Sequence, residues 1–212
     1  MLRSINKVLI LAPHPDDAEF GLGGTIAKLQ EMGKEIHIAV FSDCKKSTPK
    51  GFPIGAIETE MYKSFEFLGI KKENQHILNF EVREFPAVRQ EILETLITLR
   101  KKIAPDLVFL PSSSDVHQDH KTINEEGVRA FKHNNLLGYE MPWNNFGFTS
   151  FMYVNLSPKH IETKIKALNF YETQKHRSYS NVDFVTSLAK LRGIQIQQEY
   201  AESFQLIRFI QL

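Results

Sequence analysis

Apolar and polar positions follow two periods along the 212 residues of the chain. Apolar runs at residues 7–11, 35–41 and 107–110 predict strands, and the unbroken runs are typical of strands covered on both faces. Between these runs, apolar residues recur at helical spacing. Because strands and helices alternate over most of the length, the pattern predicts one α/β domain with a mainly parallel sheet.

The remaining elements follow from the same two periods. Three further strands are predicted at residues 76–80, 148–154 and 199–210. The predicted helices cover residues 25–32, 58–68, 86–103, 119–131, 157–171 and 181–191. Turn-forming residues at 42–57 and 134–145 indicate two loops.

Two groups of imidazole and carboxylate side chains follow predicted strands. The first group comes directly after the strand at 7–11, and the second comes after the strand at 107–110. Strand ends of the same polarity share one edge of a parallel sheet, so the two groups are expected to meet where α/β sheets bind ligands. The groups consist of His14, Asp16 and Asp17, and of Asp115, His117, Asp119 and His120.

This donor set fits a zinc site of the His/His/Asp type with an open position for water. The same ligands would accept Fe²⁺, Co²⁺ or Ni²⁺. The alternative for the first group is an acidic turn with an N-capping aspartate. Gly21, Gly23 and Gly24 follow it without a phosphate-loop pattern, and we interpret them as a turn that gives backbone clearance beside the metal.

Composition excludes several classes of function. Hydrophobic residues make up 42% and charged residues 24% of the chain, as in ordinary globular proteins. A net charge of +1 gives no footprint for nucleic acid or an anionic membrane. No apolar stretch reaches the ~18–20 residues of a membrane span, so no integral membrane segment is expected. The single cysteine, Cys44, favours a reducing compartment, and we predict a cytoplasmic location.

Two motifs together resemble the PIG-L deacetylase family, also called LmbE-like. They are Pro13-His14-Pro15-Asp16-Asp17 and His117-Gln118-Asp119-His120. Further likenesses are Gly23-Gly24-Thr25, the stretch 168–174 with Tyr171 and Gln174, and the stretch 200–204. The resemblance implies a single Rossmann-like domain over residues 1–212, with helices on both faces of the sheet and the metal site at the C-terminal ends of the strands.

The resemblance also implies an activity. Members of the family are zinc-dependent enzymes that remove an N-acyl group, usually acetyl from an N-acetylglucosaminyl compound. Two positions of this chain depart from the family pattern. Ala18 stands where many members have Glu, which is here at Glu19, and Ile57 stands about where many members have an Arg that binds substrate.

Carried over to this chain, the family motifs imply a role for each residue. His14, Asp17 and His120 would be the metal ligands, and Asp16 the general base. His117 would stabilise the oxyanion or protonate the leaving amine. The residues themselves agree, because the side chains of two adjacent aspartates diverge, and histidines three apart in a helix share a face.

Two other carboxylates are candidates for orienting these ligands. Asp115 and Asp119 are expected to hold imidazole N–H groups and so to fix the histidine tautomers. The alternative for Asp119 is an acid placed at a helix start, where it is favourable to the helix dipole.

Substrate contacts are predicted from two residues. Arg83 follows a strand-like run and is a candidate to bind a phosphate or sugar hydroxyl, with a surface ion pair to Glu81 or Glu84 as the alternative. Trp143 is a candidate stacking platform for a sugar, and packing against its own domain is the alternative.

The substrate expected from the resemblance is an N-acetylglucosamine-like compound that is free or linked to a nucleotide, lipid or aglycone. A non-sugar amide, a thiol conjugate and a non-catalytic sugar-binding relative remain open alternatives. The turn-rich, aromatic region 139–154 is a candidate interface of a homo-oligomer.

Overall fold

The computed structural model describes residues 2–210, and a seven-stranded sheet runs through its centre. The strands are β1 (Lys7–Ala12), β2 (Glu35–Val40), β3 (Gln75–Ile77), β4 (Leu107–Pro111), β5 (Asn135–Tyr139), β6 (Met152–Leu156) and β7 (Tyr200–Arg208). The helices are α1 (Asp17–Glu31), α2 (Ala56–Phe67), α3 (Arg89–Ile103), α4 (Gln118–Ala130), α5 (Pro158–Leu168) and α6 (Val182–Ile194). Within residues 2–210, none of these helices combines the length and apolar character needed to cross a membrane.

The strand order confirms the predicted Rossmann-like architecture. Across the sheet the order is β3-β2-β1-β4-β5-β7-β6. The first five strands run parallel, and β7 pairs antiparallel with both β5 and β6. The chain moves outward from β1 to β3 and then returns to β4 on the other side of β1. The carboxyl ends of β1 and β4 therefore border the crevice where such sheets bind ligands.

Apolar side chains leave both faces of the sheet, as the unbroken runs in the sequence predicted. Val8 and Ile10 of β1 pack in a core with α1, α2, α5 and α6. Leu9 and Leu11 point to the other face and pack with α3 and α4. All four side chains are fully buried. Helices on both faces are thus confirmed, and they exclude water from the central strands.

The prediction for the first helix was wrong at its start. Helix α1 begins at Asp17, eight residues before the predicted position, and the three glycines lie inside it. A Cβ on Gly21 would lie 2.6 Å from Tyr139, and one on Gly24 would lie 2.6 Å from Leu156. The glycines therefore let α1 approach the sheet closely, and they do not give clearance beside the metal site.

A kink divides α1, and a buried ion pair replaces the hydrogen bond that the kink breaks. Leu22 has φ −152°, which is not helical. In a straight helix, the N–H of Gly24 would bond to the carbonyl of Phe20. Instead, Gly24 N–H donates to Glu202 Oε1 (3.1 Å), and Lys164 Nζ donates to the Phe20 carbonyl (2.7 Å). Lys164 also pairs with Glu202 at 2.7 Å. The Gly24 N–H and the Phe20 carbonyl therefore both have hydrogen-bond partners.

Other boundaries also differ from the predicted ones. Strand β5 lies inside the stretch 134–145 that was predicted as a loop. Its Gly138 allows close contact with the neighbouring strand end, since a Cβ there would lie 2.9 Å from Ser112 Cα. Helix α3 begins at Arg89, because a 3₁₀ turn at Phe85–Val88 precedes it. Short apolar runs interrupted by glycine or proline explain both differences.

The buried ion pair should be essential for stability. We expect Glu202→Ala to lower the free energy of unfolding by about 3–5 kcal/mol, because it leaves the Lys164 ammonium buried without its partner. The control is Glu172→Ala, since Glu172 pairs with Lys175 at 2.5 Å on the exposed surface and should contribute little. Urea unfolding of both variants provides the measurement. Equal losses in the two variants would contradict the role of Glu202.

Two histidines lie in contact at the β2–β3 edge. Their surroundings predict that the free energy of unfolding falls in acid. His37 Nδ1 lies 3.1 Å from His76 Nε2, and His37 Nε2 lies 2.7 Å from Glu35 Oε1. Burial, with the neighbouring His37, lowers the pKa of His76 to about 4 from an ordinary value of 6.5. Between these two pH values the unfolded chain binds the extra proton, so stability falls as the pH falls.

Replacing His76 should weaken this pH dependence. We expect the urea midpoint of the wild type to fall between pH 7 and pH 4.5 by more than that of His76→Gln, with a chelator present in both samples. The control is His133→Gln. A decline as steep in His76→Gln as in the wild type would show that other groups cause the acid sensitivity.

Candidate functional site

The turn after β1 brings three predicted site residues, His14, Asp16 and Asp17, to the carboxyl edge of the sheet. Asp17 Oδ2 accepts the backbone N–H of His14 at 2.8 Å, which closes the turn. From the other side, the hydroxyl of Tyr171 donates to the carbonyl of Pro15 at 2.6 Å. The turn is thus held at both flanks.

The second group is arranged by the start of α4. Asp115 Oδ1 accepts the backbone N–H of His117 at 2.9 Å. The ring of His117 caps the helix, since its Nδ1 accepts the N–H of Asp119 at 3.2 Å. His120 then lies in the first turn of the helix and is 2% exposed. The local sequence therefore fixes the direction of the His120 side chain.

Three ligand-type atoms from the two groups form a triangle. His14 Nδ1 lies 3.3 Å from Asp17 Oδ2, His120 Nε2 lies 3.2 Å from the same oxygen, and the two nitrogens are 3.2 Å apart. Ligands about 2.0–2.2 Å from a tetrahedral zinc ion are about 3.3–3.6 Å from one another. The spacing of these three atoms therefore fits a shared metal ion.

Two further carboxylates set the tautomers of the two imidazoles. Asp119 Oδ2 lies 3.0 Å from His14 Nε2, and Asp115 Oδ2 lies 2.8 Å from His120 Nδ1. Since an ionised carboxylate only accepts hydrogen bonds, these ring nitrogens carry the protons. The opposite nitrogens face each other in the triangle, and they are bare once a cation takes the place of the proton there. This is the arrangement in which carboxylates orient histidine ligands.

The pKa shifts of His120 and Asp17 also indicate a site that stabilises positive charge. Burial alone would lower the pKa of His120, but Asp17 and Asp115 raise it to about 10. Burial would raise the pKa of Asp17, but His120 and His14 hold it well below its usual range. Positive charge is thus stabilised between these groups, and a divalent cation would supply it in place of the proton.

His117 lies beside the triangle with a different bonding pattern. Because its Nδ1 accepts the N–H of Asp119, the neutral ring carries its proton on Nε2. Burial, together with His120 and His14, lowers the pKa of His117, which keeps the ring neutral. Ligand atoms of the three histidines lie within 4.8 Å of one another, so His117 is also within reach of a metal. Asp17 Oδ2 lies closer to the ligand atoms of the other two histidines, at 3.3 Å from His14 Nδ1 and 3.2 Å from His120 Nε2.

Asp16 lines the same cavity without a fixed partner. Among residues 2–210, no side chain forms a hydrogen bond to its carboxylate. Burial and the adjacent Asp17 raise the pKa of Asp16 to about 6. A carboxylate of this basicity, next to a metal site, is suited to accept a proton near neutral pH.

A cavity of about 380 Å³ opens above these residues. His14, Asp16, Asp17, His117 and His120 line its floor. Its walls include Ile57, Arg83, Trp143, Gln174, Arg177 and Tyr179. The predicted metal-site and substrate residues therefore border one space.

Arg83 does not form the surface ion pair that was the alternative interpretation. Its guanidinium donates to Ser47 Oγ at 2.9 Å, and Glu81 pairs with Lys46 instead at 2.8 Å. Its backbone has φ +71°, which is rare for a residue other than glycine. Arg83 is thus held at the cavity wall by its backbone.

Trp143 packs against its own domain, as the alternative interpretation expected, and its role as a stacking platform for a sugar stays a prediction. Its ring stacks on Tyr179 with centroids 3.8 Å apart and an angle of 8° between planes. Phe20 contacts it edge-on at 5.3 Å. The ring therefore packs against its own domain while it also lines the cavity.

Three wall residues, Gln174, Arg177 and Tyr179, were not predicted. They lie in a short 3₁₀ turn and the bends after it, where the sequence has no periodic pattern. His176, in the same stretch, is exposed and does not line the cavity. No signal in the sequence distinguishes Arg177 from its neighbours.

The chain is similar to one known family and to several known proteins. The family model of GlcNAc-PI de-N-acetylases (PIG-L) matches residues 9–131. A diacetylchitobiose deacetylase from Thermococcus kodakarensis is 30% identical over 203 residues, which cover 92% of this chain and 70% of that protein. The solved structure of the Pyrococcus horikoshii N,N'-diacetylchitobiose deacetylase with its inhibitor MPG has a TM-score of 0.80 at 25% identity, over 96% of this chain and 84% of that one.

The same fold also serves another reaction. GalB, the 4-carboxy-2-hydroxymuconate hydratase from Pseudomonas putida KT2440, has a TM-score of 0.77 at 16% identity and covers 98% of each chain. At that identity the likeness concerns the fold alone, whereas the family match covers both the first motif and the second. The chain therefore belongs to the PIG-L deacetylase family.

Proposed function

We propose that this protein is a zinc-dependent deacetylase that hydrolyses the N-acetyl amide of an N-acetylglucosamine-like sugar to acetate and a free amine. The observation that carries this proposal is the triangle of His14 Nδ1, Asp17 Oδ2 and His120 Nε2, with the Asp16 carboxylate in the same cavity. The relatives named for diacetylchitobiose support an N-acetylated sugar as the substrate class.

The three triangle residues would hold the metal ion. When bound, a zinc ion supplies a Lewis acid that polarises the amide carbonyl and makes water more acidic. The bare nitrogens of His14 and His120 and the ionised carboxylate of Asp17 suit zinc, and they would accept Fe²⁺, Co²⁺ or Ni²⁺ as well.

The protein's own groups would move the protons. Asp16 accepts a proton from the attacking water at its carboxylate, and its raised pKa suits this role. His117 donates its Nε2–H to the oxyanion of the tetrahedral intermediate, which a neutral imidazole held in this tautomer favours. Asp16, now protonated, returns the proton to the leaving amine. The carbon–nitrogen bond then breaks, and acetate remains.

The same site is compatible with two alternative functions. One is hydrolysis of a non-sugar amide or a thiol conjugate, and the other is a sugar-binding protein without catalysis. All five motif residues that hydrolysis needs are present, which favours an enzyme over the second alternative. The cytoplasmic location and the homo-oligomer remain predictions from the sequence.

Asp16→Asn should separate catalysis from metal binding. We expect it to reduce acetate release by roughly 10²–10⁴-fold, because the general base is lost while the metal ligands remain. His120→Ala should lose both activity and metal. The measurements are acetate release from free, nucleotide-linked and glycosidic N-acetylated sugars, and metal content per chain. Acetate is the product to follow, because a hydratase shares this fold.

The matched control for this test is Asp43→Asn. Asp43 lies near the same edge of the sheet, and its carboxylate pairs with Lys45 at 2.5 Å. This variant should keep both metal and activity. If the metal-loaded wild type releases no acetate from any sugar of the panel, the deacetylase proposal is wrong.

The carboxylate behind His120 should tune metal affinity. We expect Asp115→Ala to weaken metal binding by about 10–100-fold, because it releases the tautomer and orientation of His120. Competition with a chromogenic chelator measures the affinity, and circular dichroism checks that the variant is folded. The control is Asp183→Ala, at an exposed position in the first turn of α6. Unchanged affinity in folded Asp115→Ala would exclude this role.

A further inference from the structure

Two guanidinium groups on the cavity wall lack carboxylate partners such as those that Arg89, Arg129 and Arg192 have. Arg83 donates to Ser47 Oγ at 2.9 Å, and Arg177 donates to Gln174 Oε1 at 2.9 Å. Both partners are neutral, and neither arginine forms an ion pair within the described residues 2–210. By contrast, Arg129 pairs with Glu126 at 2.5 Å outside the cavity. The two wall arginines therefore keep their charge available to a ligand.

The backbone of Arg83 is fixed relative to the candidate metal site. At φ +71° the backbone adopts a left-handed conformation that residues other than glycine rarely take. Asp119 Oδ2 accepts its N–H at 2.7 Å, and Gln118 donates to its carbonyl. The same Asp119 oxygen lies 3.0 Å from His14 Nε2. Strained conformations that the surroundings enforce in this way occur at ligand-binding sites.

Arg177 lines the same cavity as Arg83. Its guanidinium lies 5.9 Å from the centroid of the Tyr179 ring, which stacks on Trp143. Arg177 also lines the same cavity as Asp16 and Asp17 of the floor. Arg177 thus lies near both the aromatic wall and the reacting end of the cavity.

The acidic and the basic side chains of the cavity lie in different parts of its lining. Its lining carboxylates are Asp16 and Asp17, both on the floor at the candidate metal site. A guanidinium group binds a phosphate or carboxylate through paired N–H donors, so two such groups without carboxylate partners on the walls favour an anionic ligand group.

We propose that the substrate is an N-acetylated sugar that carries an anionic substituent, phosphate or carboxylate, which Arg83 and Arg177 bind while the acetamido group occupies the floor. This inference rests on the proposed deacetylase function and narrows its substrate class. Trp143 and Tyr179 then contact the sugar between the two ends.

The first test compares neutral and anionic sugars. The substrates are N-acetylglucosamine, its 1-phosphate, its 6-phosphate and N-acetylmuramic acid, which distinguish phosphate from carboxylate. We expect at least one anionic sugar to have a kcat/KM about tenfold or more above that of N-acetylglucosamine. Arg83→Gln and Arg177→Gln should each reduce this ratio, mainly through KM. Arg208→Gln, an exposed arginine on β7, should leave the ratio unchanged.

The second test measures binding without turnover. Calorimetry on metal-loaded Asp16→Asn protein should show tighter binding of the preferred anionic sugar than of N-acetylglucosamine, and Arg83→Gln in that background should remove the difference. Equal affinities for neutral and anionic sugars would overturn the inference. Acetate release with no preference for an anion would overturn it too, and would leave the deacetylase function standing. Anion-selective binding without acetate release from any sugar would instead reject the proposed function.

Discussion

The direct pairing of β1 with β4 is the constraint on which the site depends. Val8, Leu9 and Ile10 pair in parallel with residues 107–109, so two strands about a hundred residues apart in sequence end side by side. Each strand ends in a turn that carries imidazole and carboxylate groups. Since β1 is also the point where the chain reverses its direction across the sheet, no crossover helix covers the crevice between these ends. The triangle of His14 Nδ1, Asp17 Oδ2 and His120 Nε2 exists because of this adjacency.

Carboxylates with different surroundings then give the site its chemistry. His120 and His14 keep Asp17 ionised, burial and Asp17 raise the pKa of Asp16 to about 6, and burial raises that of Glu19 to about 8. These three acids lie within four residues of one another, so sequence position does not decide their protonation. Burial and charged neighbours decide it, as in other enzymes that use paired carboxylates for separate roles.

Local patterns in the sequence were sufficient for the central strands and for the site floor. The buried runs of β1 and β4 and the motif that follows each predicted which side chains meet, and His14, Asp17 and His120 do meet. The start of α1 could not be predicted, because three glycines in sequence suggest a turn. The helix continues past them since Glu202 and Lys164 bond to the backbone groups at the kink. Those partners lie more than a hundred residues away. Arg177 was missed for the same reason, since only the fold brings its turn to the cavity.

Burial raises the pKa of Glu19, although the hydrogen bonds from Ser64 and Tyr171 act in the opposite direction. The contacts of Tyr171 show what a neutral Glu19 allows. The Tyr171 hydroxyl lies 2.6 Å from the Pro15 carbonyl and 2.8 Å from Glu19 Oε1. A hydroxyl has one proton, and the Pro15 carbonyl can only accept. If Glu19 were ionised, two acceptors would compete for that proton. Protonated Glu19 can itself donate to the Tyr171 oxygen, so the hydroxyl proton stays on Pro15, between His14 and Asp16. A buried neutral acid thereby steadies the turn that carries a metal ligand and the proposed base.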